Sequence, residues 1–187
     1  MRRRPLRTAA VAVVALVGTL LVAGPAGAAP AKKWGTTFCR AVSTWGTGVS
    51  TISAAERAKP QAASAPEAAA RLGAYLDTYS ALTVTFGEAV TAAGTPDVAN
   101  GARIEKTIRK GITAMVTEID AIATALDALD VTDPTAFRTG AAQLQTRVGA
   151  SNEPFSAALD RVSTLDRSGD LDRVLRTAPA CKGLTGG

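Results

Sequence analysis

Apolar residues recur at alternating steps of three and four along most of the chain, and proline or glycine divides this pattern into four long segments. Such spacing places the apolar side chains on one narrow seam of an α-helix. The first segment ends at Lys59-Pro60, and its seam consists of Phe38, Val42, Trp45, Val49 and Ile52. The pattern therefore predicts an all-α protein with four long helices.

Capping residues mark the next two helices. Ser64 and Glu67 open the second segment as a capping box, and Gly94 ends it. Its seam consists of Leu72, Tyr75, Tyr79, Leu82, Phe86 and Val90. Thr95-Pro96-Asp97 is typical of the start of the third helix, with proline in the first helical position. The third seam consists of Ile104, Ile108, Met115, Ile119, Ile122, Leu126 and Leu129.

The fourth segment begins at Asp133-Pro134 and contains a second proline. Pro154 lacks a backbone donor and its ring clashes with the preceding turn, so we expect a kink or break near Asn152. The seam of this segment consists of Phe137, Ala141, Leu144, Val148, Ser151, Phe155, Ala158, Val162 and Leu165. A short last helix is expected at about 170–176.

Two cysteines bracket the four segments. Helices joined by short loops pack most simply as an antiparallel up-down-up-down bundle, in which the start of the first helix and the end of the fourth lie together. That order brings Cys39, in the first turn of the first helix, close to Cys181. We predict an all-α, antiparallel up-down-up-down four-helix bundle with a short extra C-terminal helix, closed by one disulfide. The alternative is two free, buried thiols.

The N-terminus has the organisation of an export signal. Four arginines among the first seven residues precede an apolar run over 8–23, and Ala26-Gly27-Ala28 offers a cleavage site. We predict a cleavable signal peptide at 1–28 and a secreted helical bundle domain at 29–187. A retained membrane anchor is the alternative, but the apolar run is shorter than the roughly 20 residues of a spanning helix. Sec export is favoured over the twin-arginine route, because Pro5 stands where an aromatic residue is usual.

Removal of the signal peptide changes the charge. The chain has 21 Lys and Arg and 16 Asp and Glu; four arginines leave with the signal, so 17 basic residues face 16 acidic ones and the net charge is +1. A nucleic-acid partner is therefore not expected. The chain has no histidine, neither a phosphate-binding loop nor a nucleophile elbow, and its cysteines are expected to be oxidised. We predict no enzyme activity, no catalytic residue, no metal site and no cofactor.

The third helix carries the first candidate binding surface, a basic face that consists of Arg103, Lys106 and Lys110. These positions are three and four residues apart and share one side of a helix, where they can contact phosphate of a cell-envelope polymer or a lipid head group. The alternative is a solvated face whose charges pair with acids of neighbouring helices.

Aromatic side chains on the seams are the second candidate. If the protein carries a small apolar ligand between its helices, the cavity would be lined by Trp45, Tyr75, Tyr79 and Phe86. The alternative is an ordinary aromatic core. Trp34 lies outside the first seam, and we expect it to be exposed.

Two smaller patterns complete the candidates. Small residues beside the second seam predict either close packing of a neighbouring helix or a groove for a ligand: Gly73, Ser80, Gly87 and Gly94. Asp166, Asp170 and Asp172 surround Gly169, and we interpret them as caps of the last helix because the EF-hand order of calcium ligands is absent.

Two terminal motifs resemble a known group of proteins. They are Trp-Gly-Thr-Thr-Phe-Cys-Arg-Ala-Val-Ser-Thr-Trp at 34–45 and Ala-Pro-Ala-Cys-Lys-Gly-Leu at 178–184. With the alanine-rich composition, they resemble the ends of small secreted or lipoprotein-like helical proteins of high-G+C actinobacteria. The resemblance implies an extracytoplasmic location and brings no catalytic residue, because the group has no established activity.

Together these patterns predict a secreted, non-enzymatic binding or scaffold protein, extracellular or associated with the cell wall. The expected partner is a polymer or protein of the cell envelope, without nucleic acid and without a stable membrane anchor after cleavage. The alternative function is a carrier of a small apolar ligand. The oligomeric state is not defined by the pattern.

Overall fold

The computed structural model describes residues 27–182, which form six α-helices and one 3-10 turn. The helices are α1 (Ala31–Ala58), α2 (Ala65–Ala93), α3 (Gly101–Asp127), α4 (Pro134–Ala150), α5 (Glu153–Leu165) and α6 (Asp170–Thr177), and the turn is Pro179–Cys181. Residues 27–182 contain no β-strand, only an isolated bridge between Ala29 and Pro96. The all-α prediction is confirmed, whereas the predicted signal peptide lies outside the described residues except for its last two positions.

Two predicted helix starts are confirmed by their capping bonds. The Ser64 hydroxyl accepts from the amide of Glu67 at 3.3 Å, and the Glu67 carboxylate accepts at 2.8 Å from the amide of the residue before Ser64. At the start of α4, the Asp133 carboxylate accepts from the amides of Thr135 and Ala136. These bonds satisfy amides that a helix start leaves without partners, so they fix where α2 and α4 begin.

The third helix begins at Gly101 and not at the predicted Thr95. Ala29 donates to the Thr95 carbonyl at 2.7 Å and accepts from the Asp97 amide at 2.8 Å, so the chain beside Pro96 is engaged outside a helix. A β-carbon at Gly101 would lie 2.0 Å from the Pro96 carbonyl oxygen, which explains why glycine stands there. The prediction was wrong because a distant segment of the chain competes for the same backbone groups.

The first helix begins at Ala31, so Cys39 lies in its third turn and not in the predicted first turn. The additional turns are covered by the C-terminal part of the chain. A β-carbon at Gly35 would lie 2.8 Å from the Val174 side chain of α6, which shows how closely the two helices approach. The seam pattern alone could not reveal these turns, because Val174 is 139 positions after Gly35 in the sequence.

The expectation that Trp34 is exposed was wrong. Its side chain is 1% exposed and stacks on Phe38 with ring centroids 5.0 Å apart. The indole nitrogen donates to the Gly94 carbonyl at 2.7 Å, which satisfies the only polar atom of the ring. Trp34 therefore joins the start of α1 to the end of α2.

The predicted break in the fourth segment is confirmed. Helix α4 ends at Ala150 and α5 begins at Glu153, with Pro154 in the first turn of α5. Between them, the Ser151 side chain is fully buried and donates to the Val148 carbonyl at 2.7 Å. The proline thus divides one amphipathic segment into two helices.

All six helices contribute to one hydrophobic core. Helix α1 packs against α2, α2 against α3, and α3 against both α4 and α5, while α6 and the C-terminal turn pack on α1. The largest fully buried side chains include Trp34, Leu76, Ile104, Met115 and Leu171. Helices α2 and α3 each contact three other helices and lie at the centre of the fold.

Cys39 of α1 and Cys181 of the C-terminal turn form a disulfide, as predicted, with α-carbons 5.0 Å apart. Both residues are buried. The two cysteines are 142 positions apart in the sequence, so the bond closes almost the whole described chain into one loop. A loop of this length strongly restricts the unfolded chain.

Candidate functional site

The basic face of α3, Arg103, Lys106 and Lys110, lies in the first half of the helix and is exposed. Ile104 and Ile108 are buried between these positions, which turns the three cations towards solvent. A long helix held in the core by its apolar seam therefore presents the three charges at fixed spacing.

None of the three cations forms an ion pair with a carboxylate in residues 27–182. The nearby Arg109 differs, because it pairs with Glu105 at 3.2 Å within the same helix. The alternative drawn from the sequence, a face neutralised by acids of neighbouring helices, is therefore not seen for Arg103, Lys106 or Lys110. Their charges face solvent without compensation from the described part of the chain.

Helix α5 brings a fourth cation, Arg161, to this surface. A β-carbon at Gly111 would lie 2.5 Å from the β-carbon of Ala158, and the Asn100 side-chain amide donates to the Leu165 carbonyl at 3.0 Å. Arg161 is exposed and lies three residues after Ala158, so helix geometry places it at the edge of α5 next to this contact. Among residues 27–182 it has no ion-pair partner. The sequence analysis missed Arg161, because only the register between α3 and α5 places it there.

The second half of α3 and the loop after it are acidic. Glu118 pairs with Arg147 of α4 at 2.9 Å, and the Asp120 carboxylate accepts from Ser80 at 3.3 Å. Beyond the helix, hydrogen bonds from Thr132 hold the pKa of the Asp130 carboxyl below its ordinary value. The charges of α3 are therefore divided along its length, with cations near its start and carboxylates near its end.

The four candidate lining residues of a ligand cavity lie in different surroundings. Tyr79 and Phe86 are buried, whereas Trp45 and Tyr75 are half-buried. Trp45 stacks on Phe86 with ring centroids 5.5 Å apart, and both rings pack edge-on against Phe155. Aromatic contacts of this kind are typical of a filled interior.

Polar contacts also tie these side chains into the core. The Trp45 indole nitrogen donates to the Thr83 hydroxyl at 3.2 Å, and the Tyr75 hydroxyl is 3.1 Å from that of Ser53. Of the four aromatic residues, Trp45 lines an open groove along α1, which has a volume of about 710 Å³. The carrier function remains a prediction, without support from these contacts.

Small residues of α2 face α3. A β-carbon at Gly87 would lie 3.2 Å from the Ile112 side chain, and one at Gly73 would lie 3.9 Å from Leu126. Two adjoining open grooves follow this helix pair, with volumes of about 480 and 620 Å³, and both include the exposed Val84. Close packing of α2 on α3 explains Gly87, whereas Gly94 has a positive φ of 73° where α2 ends.

The acidic group near Gly169 acts as a helix cap. The Asp166 side chain is 7% exposed, and its Oδ2 atom accepts from the Asp172 amide at 2.8 Å, which satisfies the start of α6. Its Oδ1 atom is buried without a hydrogen-bond partner in the described chain. Asp170 and Asp172 form ion pairs with Arg173 and with Arg176. Across residues 27–182, no group of three potential metal-ligating side chains occurs.

Comparisons with protein-family models, with curated proteins and with solved structures found no match to this chain. Among the described helices, none is both long enough and apolar enough to cross a membrane. The basic face and Arg161 are exposed cations without an ion-pair partner in residues 27–182, as are Lys32, Lys33 and Arg40 of α1.

Proposed function

We propose that this protein is a non-enzymatic binding scaffold that acts outside the cytoplasm, at the cell envelope. The observation that carries the proposal is the basic face of α3, three exposed cations without a carboxylate partner among residues 27–182. Lys and Arg side chains presented in this way attract phosphate and other anions. The partner is an anionic polymer or protein of the envelope.

The scaffold we propose is an antiparallel up-down-up-down bundle of four helical segments, the last divided into α4 and α5. Three hydrogen bonds join α1 to α2 and its cap, namely Trp34 to Gly94, Trp45 to Thr83 and Ser53 to Tyr75. The residue numbers rise along α1 as they fall along α2, which supports opposite directions. Contacts of Gly87 with Ile112 and of Gly73 with Leu126 support the same relation between α2 and α3.

The compartment is part of the proposal. A buried disulfide suits an oxidising environment, and the arginine-rich, apolar N-terminal sequence is typical of exported chains. The terminal motifs that resemble secreted actinobacterial proteins agree with this location. A disulfide-linked helical domain is suited to function outside the cytoplasm, where cytoplasmic chaperones are absent.

Reversal of the basic face tests the proposed function. The variant Arg103→Glu, Lys106→Glu, Lys110→Glu is expected to bind isolated envelopes of the secreting host at least about tenfold more weakly, because each cation near an anionic surface contributes about 1 kcal/mol. Binding is measured by co-sedimentation, and circular dichroism establishes that the variant is folded.

The matched control reverses three exposed cations elsewhere, with the variant Arg57→Glu, Lys59→Glu, Arg138→Glu. It changes the net charge by the same amount and is expected to keep its binding. An equal loss in both variants would mean that net charge alone governs adsorption. Unchanged binding of both would remove the basic face as the binding surface.

A further inference from the structure

The two ends of the molecule differ in the contacts and connections that they contain. The disulfide end comprises residues 29–45, 80–114 and 157–182, and it holds the disulfide, the bond from Trp34 to Gly94 and the contact between the start of α3 and the end of α5. The loop end comprises residues 46–79 and 115–156, and it holds the α1–α2 and α3–α4 connections. Helices of 27 to 29 residues separate the two ends, a length of about 40 Å.

The two ends carry opposite charge. The disulfide end has 12 basic and 7 acidic side chains, a net charge of +5, whereas the loop end has 5 basic and 9 acidic side chains, a net charge of −4. The near-neutral total of the domain conceals this separation. In an electric field such as that of an anionic surface, a molecule with this charge distribution orients with its disulfide end forward.

Four exposed cations of the disulfide end lie on neighbouring helices. Arg103, Lys106 and Lys110 belong to α3, and Arg161 belongs to α5, which packs against α3. We refer to these four residues as the cationic patch. No carboxylate of residues 27–182 lies within ion-pair distance of these four side chains, whereas the neighbouring Arg109 is paired with Glu105.

The N-terminal sequence enters the folded domain at the same end. Ala29 is hydrogen-bonded on both sides of Pro96, in the connection between α2 and α3. The apolar run at 8–23 therefore precedes a point next to the start of α3, the helix that bears the patch.

We propose that the cationic patch of Arg103, Lys106, Lys110 and Arg161 docks the protein, disulfide end first, on the surface of an anionic lipid bilayer. This inference rests on the proposed function and names its partner. The phosphate groups of anionic lipids are the ligands, and the patch contacts them by charge without insertion of a helix. Membrane attachment based on one such signal is reversible and sensitive to salt.

Vesicle sedimentation tests the inference. The protein recovered from a secreting host is mixed with vesicles of phosphatidylglycerol and phosphatidylcholine, or with vesicles of phosphatidylcholine alone. Binding is expected to the anionic vesicles only and to disappear in roughly 1 M salt, where the Debye length falls to about 3 Å. The variant Arg103→Glu, Arg161→Glu is expected to bind at least about tenfold more weakly, because two attractive charges become repulsive.

The matched control is the variant Arg57→Glu, Arg138→Glu, in which two exposed arginines of the loop end are reversed. It has the same net charge and is expected to bind as the unmodified protein does. Equal weakening of both variants, or equal binding to both kinds of vesicle, would overturn the inference.

Failure of the inference can be distinguished from failure of the proposed function. In one outcome the triple variant of α3 loses envelope binding, while the unmodified protein fails to bind anionic vesicles and is captured by soluble polyphosphate. That outcome would assign the patch to a phosphate polymer and exclude lipid. Envelope binding that is indifferent to the triple variant would overturn the proposed function itself.

Discussion

The hydroxyl of Tyr79 joins α2 to the break between α4 and α5. It lies 3.0 Å from the Ser151 hydroxyl, which itself donates to the Val148 carbonyl, so Tyr79 is the donor in this pair. Both side chains are buried. Burial disfavours a charged phenolate and raises the pKa of Tyr79 above its ordinary value of 10.0.

Tyr79→Phe is expected to lower the free energy of unfolding by about 1 kcal/mol near neutral pH, because one buried hydrogen bond is lost. A raised pKa in the folded state stabilises the protein below pH 10.0 and ceases to do so as the pH rises through the folded value. The unmodified protein should therefore lose its advantage over Tyr79→Phe as the pH rises above about 10, as measured by urea denaturation. A difference that stays constant with pH would contradict this prediction.

The burial of Trp34 could not be predicted from the seam pattern. Its position lies off the heptad seam, yet its ring is buried because Gly94 offers an acceptor and Phe38 offers a stacking face. Phe38 lies one turn away in the same helix, whereas the Gly94 acceptor depends on how the start of α1 meets the end of α2. By contrast, Ser64 and Asp133 could be predicted as caps, since their partners lie within three residues along the chain.

Helices α3 and α5 approach each other closely at Gly111. A β-carbon there would lie 2.5 Å from that of Ala158 and 3.0 Å from the Pro154 carbonyl oxygen. These distances are shorter than carbon atoms tolerate, so a side chain would force the two helices apart. The same contact sets the register that brings Arg161 beside the basic face.

Gly111→Ala is expected to destabilise the fold by about 1–3 kcal/mol, since overpacking outweighs the gain of about 1 kcal/mol in helix propensity. Gly46→Ala is the matched control: Gly46 lies in the interior of α1, and a β-carbon there would meet nothing in residues 27–182 within 4 Å. It should stabilise the protein by up to about 1 kcal/mol. Thermal unfolding compares the two, and a stabilising Gly111→Ala would contradict the close approach.

Helix boundaries could be predicted where local chemistry decides them. Pro154 breaks the fourth segment through its own ring and missing donor, which the sequence displays directly. The start of α3 could not be predicted, because Ala29 engages the backbone of Thr95 and Asp97 from far along the chain. Arg161 was missed for the same reason, since its place beside α3 depends on tertiary register.

In the molecule as a whole, the disulfide fastens the last turn of the described chain to α1. Cys181 follows α6, whose Leu171 is buried and whose Val174 approaches Gly35 of α1. The sequence sufficed to pair the two cysteines, because only two are present and the helix count places them at one end. The charge separation between the two ends could not be predicted from the sequence, because each end combines charged residues from several helices.

Replacement of the pair, Cys39→Ala with Cys181→Ala, is expected to lower the free energy of unfolding by up to about 5 kcal/mol, because a loop of this length restricts the unfolded chain. The effect should be largest locally in α6, which loses its covalent attachment to α1. Hydrogen exchange of the oxidised protein and of the variant measures this, with α3 as the internal reference. Equal acceleration in α6 and α3 would contradict a local role.

If the chain is exported, the bridge at Ala29 affects the order of two events, removal of the signal peptide and folding of the domain. If the signal peptide is removed after residue 28, Ala29 is the residue next to the cut bond, and in the folded domain both its amide and its carbonyl are engaged with Thr95 and Asp97. Peptidases commonly bind their substrates as extended strands through such backbone groups. In that case a folded precursor would withhold them, so cleavage would have to precede the docking of this segment, and the peptidase and the folding chain would compete for Ala29.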